Sequence, residues 1–175
     1  VNDYTNNVEG NYNGLFAEVA EATNTVIDRL KHIQAITGRV AIGDLSDLDD
    51  LKASGKRSEN DQMVPAFIQM EEAIQNLVDE SKMLTNAATK GKLDVRGDID
   101  SFQGEYAGIV SGVNNTLDAL ILPIQEAADV MAKIADKKMT ARITGDYEGQ
   151  LEDFKVDINT AAENLEKVML QVKDA

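Results

Sequence analysis

The residues able to do chemistry are few, and their spacing gives them little to do. Asp44, Asp47, Asp49 and Asp50 form an acidic run of the kind that draws calcium. A calcium loop alternates its ligands and closes on a bidentate glutamate at its twelfth position. This run does neither and reads as a solvated connector. Gly104-Glu105-Tyr106-Ala107-Gly108 and Gly145-Asp146-Tyr147-Glu148-Gly149 are bounded by glycines, as phosphate cradles are. Such a cradle follows a β-strand; no strand pattern precedes either, so both read as places where helices begin. His32 is the sole histidine and reads as a surface side chain. One imidazole leaves no cluster for zinc or copper and no nucleophile–histidine pair. With no cysteine, disulfides and thiolate sites are excluded. Glu71-Glu72-Ala73 has the wrong spacing for a carboxyl-methylation site. Lys31, Lys82, Lys90 and Lys133 sit among acidic neighbours and read as weak helix-surface pairs. No catalytic constellation remains. The expectation is a protein that is not an enzyme, with no cofactor, no metal and no direct small-molecule ligand.

Charge narrows the partners. The 175 residues carry 31 acidic against 17 basic side chains, a formal net charge of −14. Nucleic acids and anionic membrane surfaces are themselves negative, so neither is an expected partner. No run of 18 apolar residues occurs, so no segment is expected to span a bilayer. The sequence begins at Val1 with no signal peptide and reads as a piece of a longer protein.

What must position the remaining polar groups is a set of long helices. Apolar residues make up 43% of the chain but aromatics only 5%, so any core is aliphatic. Two prolines and many Ala, Glu, Asn and Leu favour helix. Met63, Phe67, Met70, Ile74, Leu77, Ser81, Leu84 and Ala88 alternate steps of four and three, the seam of a coiled coil. Phe16 to Val40, Ile109 to Ile134 and Leu151 to Val172 carry the same rhythm, the run from Ile109 opening on a stutter.

Three polar, mostly extended interruptions separate these four helices, around Gly43–Arg57, Gly91–Gly104 and Lys137–Gly149. Each carries isolated apolar residues: Leu45, Leu48 and Leu51; Leu93, Val95 and Ile99; Met139 and Ile143. These read as plugs that dock the connector on a bundle; the alternative is a plain solvated loop. The interruptions repeat. Gly43-Asp44-Leu45, Gly91-Lys92-Leu93 and Lys137-Lys138-Met139 align, and the next helices open at Ser58-Glu59, Gly104-Glu105 and Gly149-Gln150. Met63, Ile109 and Phe154 follow in register, and then Phe67, Val113 and Ile158. Asn24, Asn114 and Asn159 lie equally far beyond Gly14, Gly104 and Gly149. The chain is thus an internal array with a period of about 45 residues.

Length sets the topology. Each helix runs about 30 residues, or about 45 Å. Connectors of about 12 to 15 residues can climb half such a helix at roughly 3.3 Å each, letting consecutive half-helices lie parallel. Two half-helices still expose a seam, so a second copy is required. The expected fold is all-α: parallel four-helix coiled-coil bundles formed by a homodimer and stacked end to end. An antiparallel hairpin stack needs shorter turns than these.

Gly43-Asp44-Leu45, followed by Ser58-Glu59-Asn60-Asp61-Gln62-Met63 and Ala66-Phe67-Ile68-Gln69-Met70, resembles a HAMP domain. The segment Gly91 to Asp98 with Gly104 to Val110, then Val113 to Asp118 and Pro123-Ile124, is similar to the divergent HAMP units found in tandem in methyl-accepting chemotaxis proteins. The resemblance covers nearly the whole chain. It implies a partial leading unit (1–28), unit A (29–76), unit B (77–122) and unit C (123–175). It also implies a relay passing helix rotation, tilt or stagger from a sensor domain to an output domain of the same chain, on the cytoplasmic side. Membrane attachment would lie only in other parts of the parent protein. The implied connector anchors are Gly43, Leu45, Gly91, Leu93, Ile99, Met139 and Ile143. The implied helix starts are Ser58, Glu59, Gly104, Glu105, Gly149 and Gln150. The implied packing layers are Met63, Phe67, Met70, Ile109, Val113, Phe154 and Ile158. Ser58 replaces the family's Asp as an equally good cap, and Pro65 falls where a missing amide is tolerated. Lys137 replaces the connector glycine and Gln150 the acidic residue, so the third connector is expected to be held differently. The rival readings are a helical ligand-binding sensor domain and a passive dimeric coiled-coil spacer.

Overall fold

Sustained heptads with weak breakers between them should give long helices, and they do. The structure, a computed structural model, describes residues 4–173, so the outermost residues of the expected units 1–28 and 123–175 lie outside the described residues. The elements are α1 (Leu15–Ala41), α2 (Leu48–Ser54), α3 (Met63–Thr89), a 3-10 turn (Ile99–Ser101), α4 (Glu105–Ala135) and α5 (Gln150–Lys173). No strand occurs among the described residues. The chain divides between Val78 and Asp79 into two compact units.

The helices stop alike. Gly43, Gly91 and Lys137 take the left-handed conformation at φ 79°, 72° and 66°. Each amide donates three residues back, to Val40, Ala88 and Ile134. The following amide reaches five back, to Arg39, Ala87 and Lys133. This Schellman closure satisfies carbonyls the helix end would otherwise orphan. Lys137 was expected to change the third connector; instead it is forced into the glycine geometry, at a cost a Cβ makes real. The starts of α1, α4 and α5 also match: Gly14, Gly104 and Gly149 hold φ 57°, 57° and 59°, with ψ −138° and −135° at the first two. A side chain does not tolerate that region.

The start of α3 differs from expectation. Ser58 and Glu59 lie in a turn, and the helix opens four residues after Glu59, at Met63. Asp61 Oδ1 accepts from the amides of Met63 (3.0 Å) and Val64 (3.3 Å). The physical reason is Pro65. A helix begun at Glu59 would place Pro65 where its ring meets the carbonyl of Asp61; one begun at Met63 leaves it in the first turn, where no amide is needed. The first connector also departs from an extended strap, since it folds into α2.

Burial follows the connectors. In the first unit Leu51 of α2 inserts among Ile36, Val40, Val64, Phe67 and Ile68. In the second, Ile143 packs with Ala127 and Val130 under Ile134, Ala141, Tyr147 and Ile158. Among the described residues α4 is the one helix long and apolar enough, by length and composition, to cross a membrane, which counting apolar runs did not pick out. Both connectors of the second unit nevertheless hydrogen-bond to its polar side chains, as described next, which suits a helix of a bundle.

Candidate functional site

The polar chemistry of this chain is spent on holding connectors. In the third connector the Asn159 amide of α5 grips the backbone of Ile143 from both sides. Its Oδ1 accepts from Ile143 N (2.8 Å), and its Nδ2 donates to Ile143 O (3.0 Å). An extended segment off a sheet has one N–H and one C=O to satisfy, and a carboxamide offers the complement of both. Arg142 adds a second tie. Its Nη1 donates to the carbonyls of Met139 (2.7 Å) and Ala141 (2.8 Å), and its Nη2 to Glu166 of α5 (2.6 Å). From the other side Glu126 of α4 accepts from Gly145 N (3.1 Å). Glu126 also holds the Tyr147 hydroxyl; burial first, then the charge of Glu126, pushes that phenol above its ordinary value.

The second connector repeats the arrangement. Asn114 Oδ1 accepts from Gly97 N (2.8 Å) and Nδ2 donates to Gly97 O (2.9 Å). Arg96 Nη1 donates to Leu93 O and Val95 O, while Nε and Nη2 meet Asp118 at 2.9 and 2.6 Å. Glu80 accepts from Asp98 N (2.8 Å). Here the gripped residue must be glycine, because a Cβ on Gly97 would stand 2.6 Å from Val110 Cγ1. Asn24 holds Val8 in the same two-sided way, at 2.7 and 3.1 Å.

The order of these contacts fixes direction. Going from Arg142 to Ile143, the third connector meets Glu166 and then Asn159; going from Ile143 to Gly145, it meets Val130 and Ala127 and then Glu126. It therefore runs antiparallel to both helices, and the second half of α4 lies beside α5 in the same direction.

The first connector lacks this clamp. At the position of Asn24, Asn114 and Asn159 it has Ile68, the residue after Phe67. Its ties are Arg39 to Asp47 (Nε 2.6 Å, Nη2 2.5 Å) and Lys52 to Glu72 (2.7 Å), with Leu48 and Leu51 buried. Asp44 and Asp61 are held below the ordinary carboxylate range, by hydrogen bonds from Ser46 and from the Arg57 amide respectively. A groove of about 410 Å³ in this unit is lined chiefly by Val26, Ile33, Ile36, Leu51, Val64 and Phe67.

The residues singled out from sequence fall in three places. Gly43 and Gly91 close helices, Gly104 and Gly149 precede them, and Glu105 and Gln150 are their first residues. Of the anchors, Ile143 is buried, Leu45 and Met139 are half-buried, and Leu93 and Ile99 stay 37% and 40% exposed. Among the packing positions Phe67, Met70 and Ile158 are half-buried, while Met63, Ile109, Val113 and Phe154 are exposed. The asparagine clamps were missed as functional residues. Their signal was their equal spacing beyond Gly14, Gly104 and Gly149, which served only to measure the repeat.

No solved structure matches the chain. The sequence model of the HAMP domain matches residues 101–167. Those residues hold α4, the third connector and most of α5, and across them the chain is similar to a HAMP domain.

Proposed function

We propose that the chain is a dimeric relay of tandem HAMP units that passes a packing change from a sensor domain to an output domain, as in chemoreceptors. The observation that carries this reading is the two-faced character of α4. One face, with Val110, Asn114, Ile121, Ala127 and Val130, is buried. The other, Ile109, Val113, Leu120, Ile124 and Met131, remains 40–52% exposed at heptad spacing. An apolar stripe of that kind on every turn needs a partner, and a second copy presents the same stripe. The two copies then make four parallel helices per unit, with partial unit 1–28 and units A, B and C stacked along one axis on the cytoplasmic side. The layers Met63, Phe67, Met70, Ile109, Val113, Phe154 and Ile158 meet at the dimer seam, with Leu45, Leu93, Ile99, Met139 and Ile143 as connector anchors. Seams of Ala, Thr, Ser and Met specify register less sharply than Leu and Ile. Near-degenerate packings let a few kcal/mol of upstream bias move the population.

The test is a cysteine at Ile109 in the full-length parent protein, cross-linked with and without stimulus. A relay gives a dimer whose cross-linking yield changes. A constant yield makes the chain a passive spacer, and no cross-link at all removes the shared seam.

A further inference from the structure

Glu71 is fully buried, and neither of its carboxyl oxygens has a hydrogen-bond partner. It sits on α3 one turn beyond Phe67 and Ile68 and two turns beyond Val64, all of which pack around Leu51 of the first connector. Position by position, the repeat places Ile27, Leu117 and Ala162 where Glu71 stands, and Ala162 is fully buried. The first connector thus inverts the pattern of the others: it is apolar at the clamp position, Ile68, and acidic where they are apolar. An unpartnered buried carboxylate is among the most costly groups a protein can hold, and the usual relief is to carry a proton or to reach water.

We propose that Glu71 makes the first connector a proton-controlled latch: protonated Glu71 allows the connector to dock on α3, and its ionisation releases it. The charged groups facing it are Arg39 at the end of α1 and Asp44 and Asp47 in the connector; Lys52 of α2 is committed to the adjacent Glu72. Asp44 and Asp47 repel a second negative charge. Arg39, the cation facing Glu71, donates twice to Asp47. When the proton leaves Glu71 for solvent, either Arg39 swings from Asp47 to Glu71 or the connector lifts and admits water. Both outcomes break the tie between α1 and the connector. Burial first, then the field of Asp47, raises the Glu71 pKa. A pKa higher docked than released means that docking is strongest at low pH and weakens as pH rises through the docked value.

This deepens the relay reading, which supplies the consequence of release but not its test. Amide exchange of 44–55 is compared with that of 137–148 in the same sample, so the intrinsic pH dependence of exchange cancels. In the intact chain the ratio should rise as pH climbs above the range where ordinary glutamates titrate, by up to tenfold per pH unit once Glu71 ionises. Glu71→Gln and Glu71→Leu, the latter copying Leu117, should flatten it. The Glu71 carboxyl carbon resonance should titrate over the same pH range. A flat ratio in the parent, an equal slope in Glu71→Gln, or a Glu71 resonance titrating with ordinary glutamates overturns the latch. A flat ratio together with stimulus-dependent cross-links at Ile109 would remove the latch and leave the relay standing.

Discussion

Asn114→Ala tests whether the clamps hold the connectors. Asn114 is buried, and its amide satisfies both the N–H and the C=O of Gly97 at 2.8 and 2.9 Å. Val110 and Glu80 crowd Gly97 so closely that even a methyl group would not fit, which limits how well water can replace the lost partner. Each buried backbone group left unpaired costs about 1–3 kcal/mol, and truncation removes the partner of two. Arg96 and Glu80 still tie the flanking residues, so the local loss should be about 2–4 kcal/mol. At 1.4 kcal/mol per decade that is about 30- to 700-fold faster exchange for the amides of 93–101. The third connector, with its own Asn159, should not change. Asn114→Asp separates the halves of the grip, since a carboxylate accepts from Gly97 N but repels Gly97 O; it should lose as much as alanine or more. If Asn114→Ala accelerates 93–101 no more than 137–148, the connector is held by its apolar plugs and the clamp argument fails.

Further outcomes follow from the same geometry. Lys137→Gly should stabilise the third helix junction by about 0.5–1 kcal/mol, because it removes a side chain from left-handed backbone; denaturant midpoints of the two proteins check this. Gly104→Ala should cost about 1–3 kcal/mol through backbone strain, whereas Ser58→Ala, in a turn before α3, should shift the midpoint by less than about 0.5 kcal/mol. Asp61 is held below its ordinary pKa, chiefly by the Arg57 amide. Its support of the α3 start is therefore complete above the ordinary aspartate value and lost as pH falls through the lowered one. Protection of the Met63 and Val64 amides, measured against their intrinsic exchange rates, should fall on acidification in the parent and lose that dependence in Asp61→Asn. On the proposed dimer, Ile109→Glu, on the exposed stripe of α4, should give a monomer in sedimentation at micromolar concentration where the parent sediments as a dimer; equal masses for the two proteins would remove the seam from this stripe.

Helix content was legible because a 3.5-residue rhythm is a global property of the chain. The run from Met63 to Ala88 lies within α3, Met63–Thr89, and Ile109 to Ile134 within α4, Glu105–Ala135. Ends were legible where glycine signalled them, as at Gly43 and Gly91, and at Lys137 through its alignment with them, although the residue type gave no sign of the left-handed backbone there. The start of α3 was misplaced because alignment to the other repeats carried more weight than Pro65, which decides where that helix can begin. The clamps were not legible for a different reason. A polar residue beside a seam gives no sign of whether it faces water or a second chain segment. Asn114 and Asn159 become distinctive only when a connector with free backbone groups lies against them. Glu71 was hidden in the same way: its charge predicts exposure, and only its burial in the folded chain, without a hydrogen-bond partner, makes it costly.

These differences amount to a division of labour among the connectors. A carboxamide that satisfies both backbone groups of one residue sets register: sliding the strap in either direction breaks two bonds at once. The second and third connectors, each also tied by an arginine to the next helix, are built to stay in place. The first relies on Leu48 and Leu51, whose burial is worth about 1.5–3 kcal/mol each but is not directional, on the part-buried Arg39–Asp47 pair, and on the exposed Lys52–Glu72 pair, which adds little. It therefore tolerates sliding and lifting that the others resist. In the relay proposed above, the links that hold register would transmit a motion, and the link without a register device is where bias would enter. The placement of an unpaired buried carboxylate beside that same link, and an apolar residue at its counterparts, makes the first connector the place where the proposed relay would be biased.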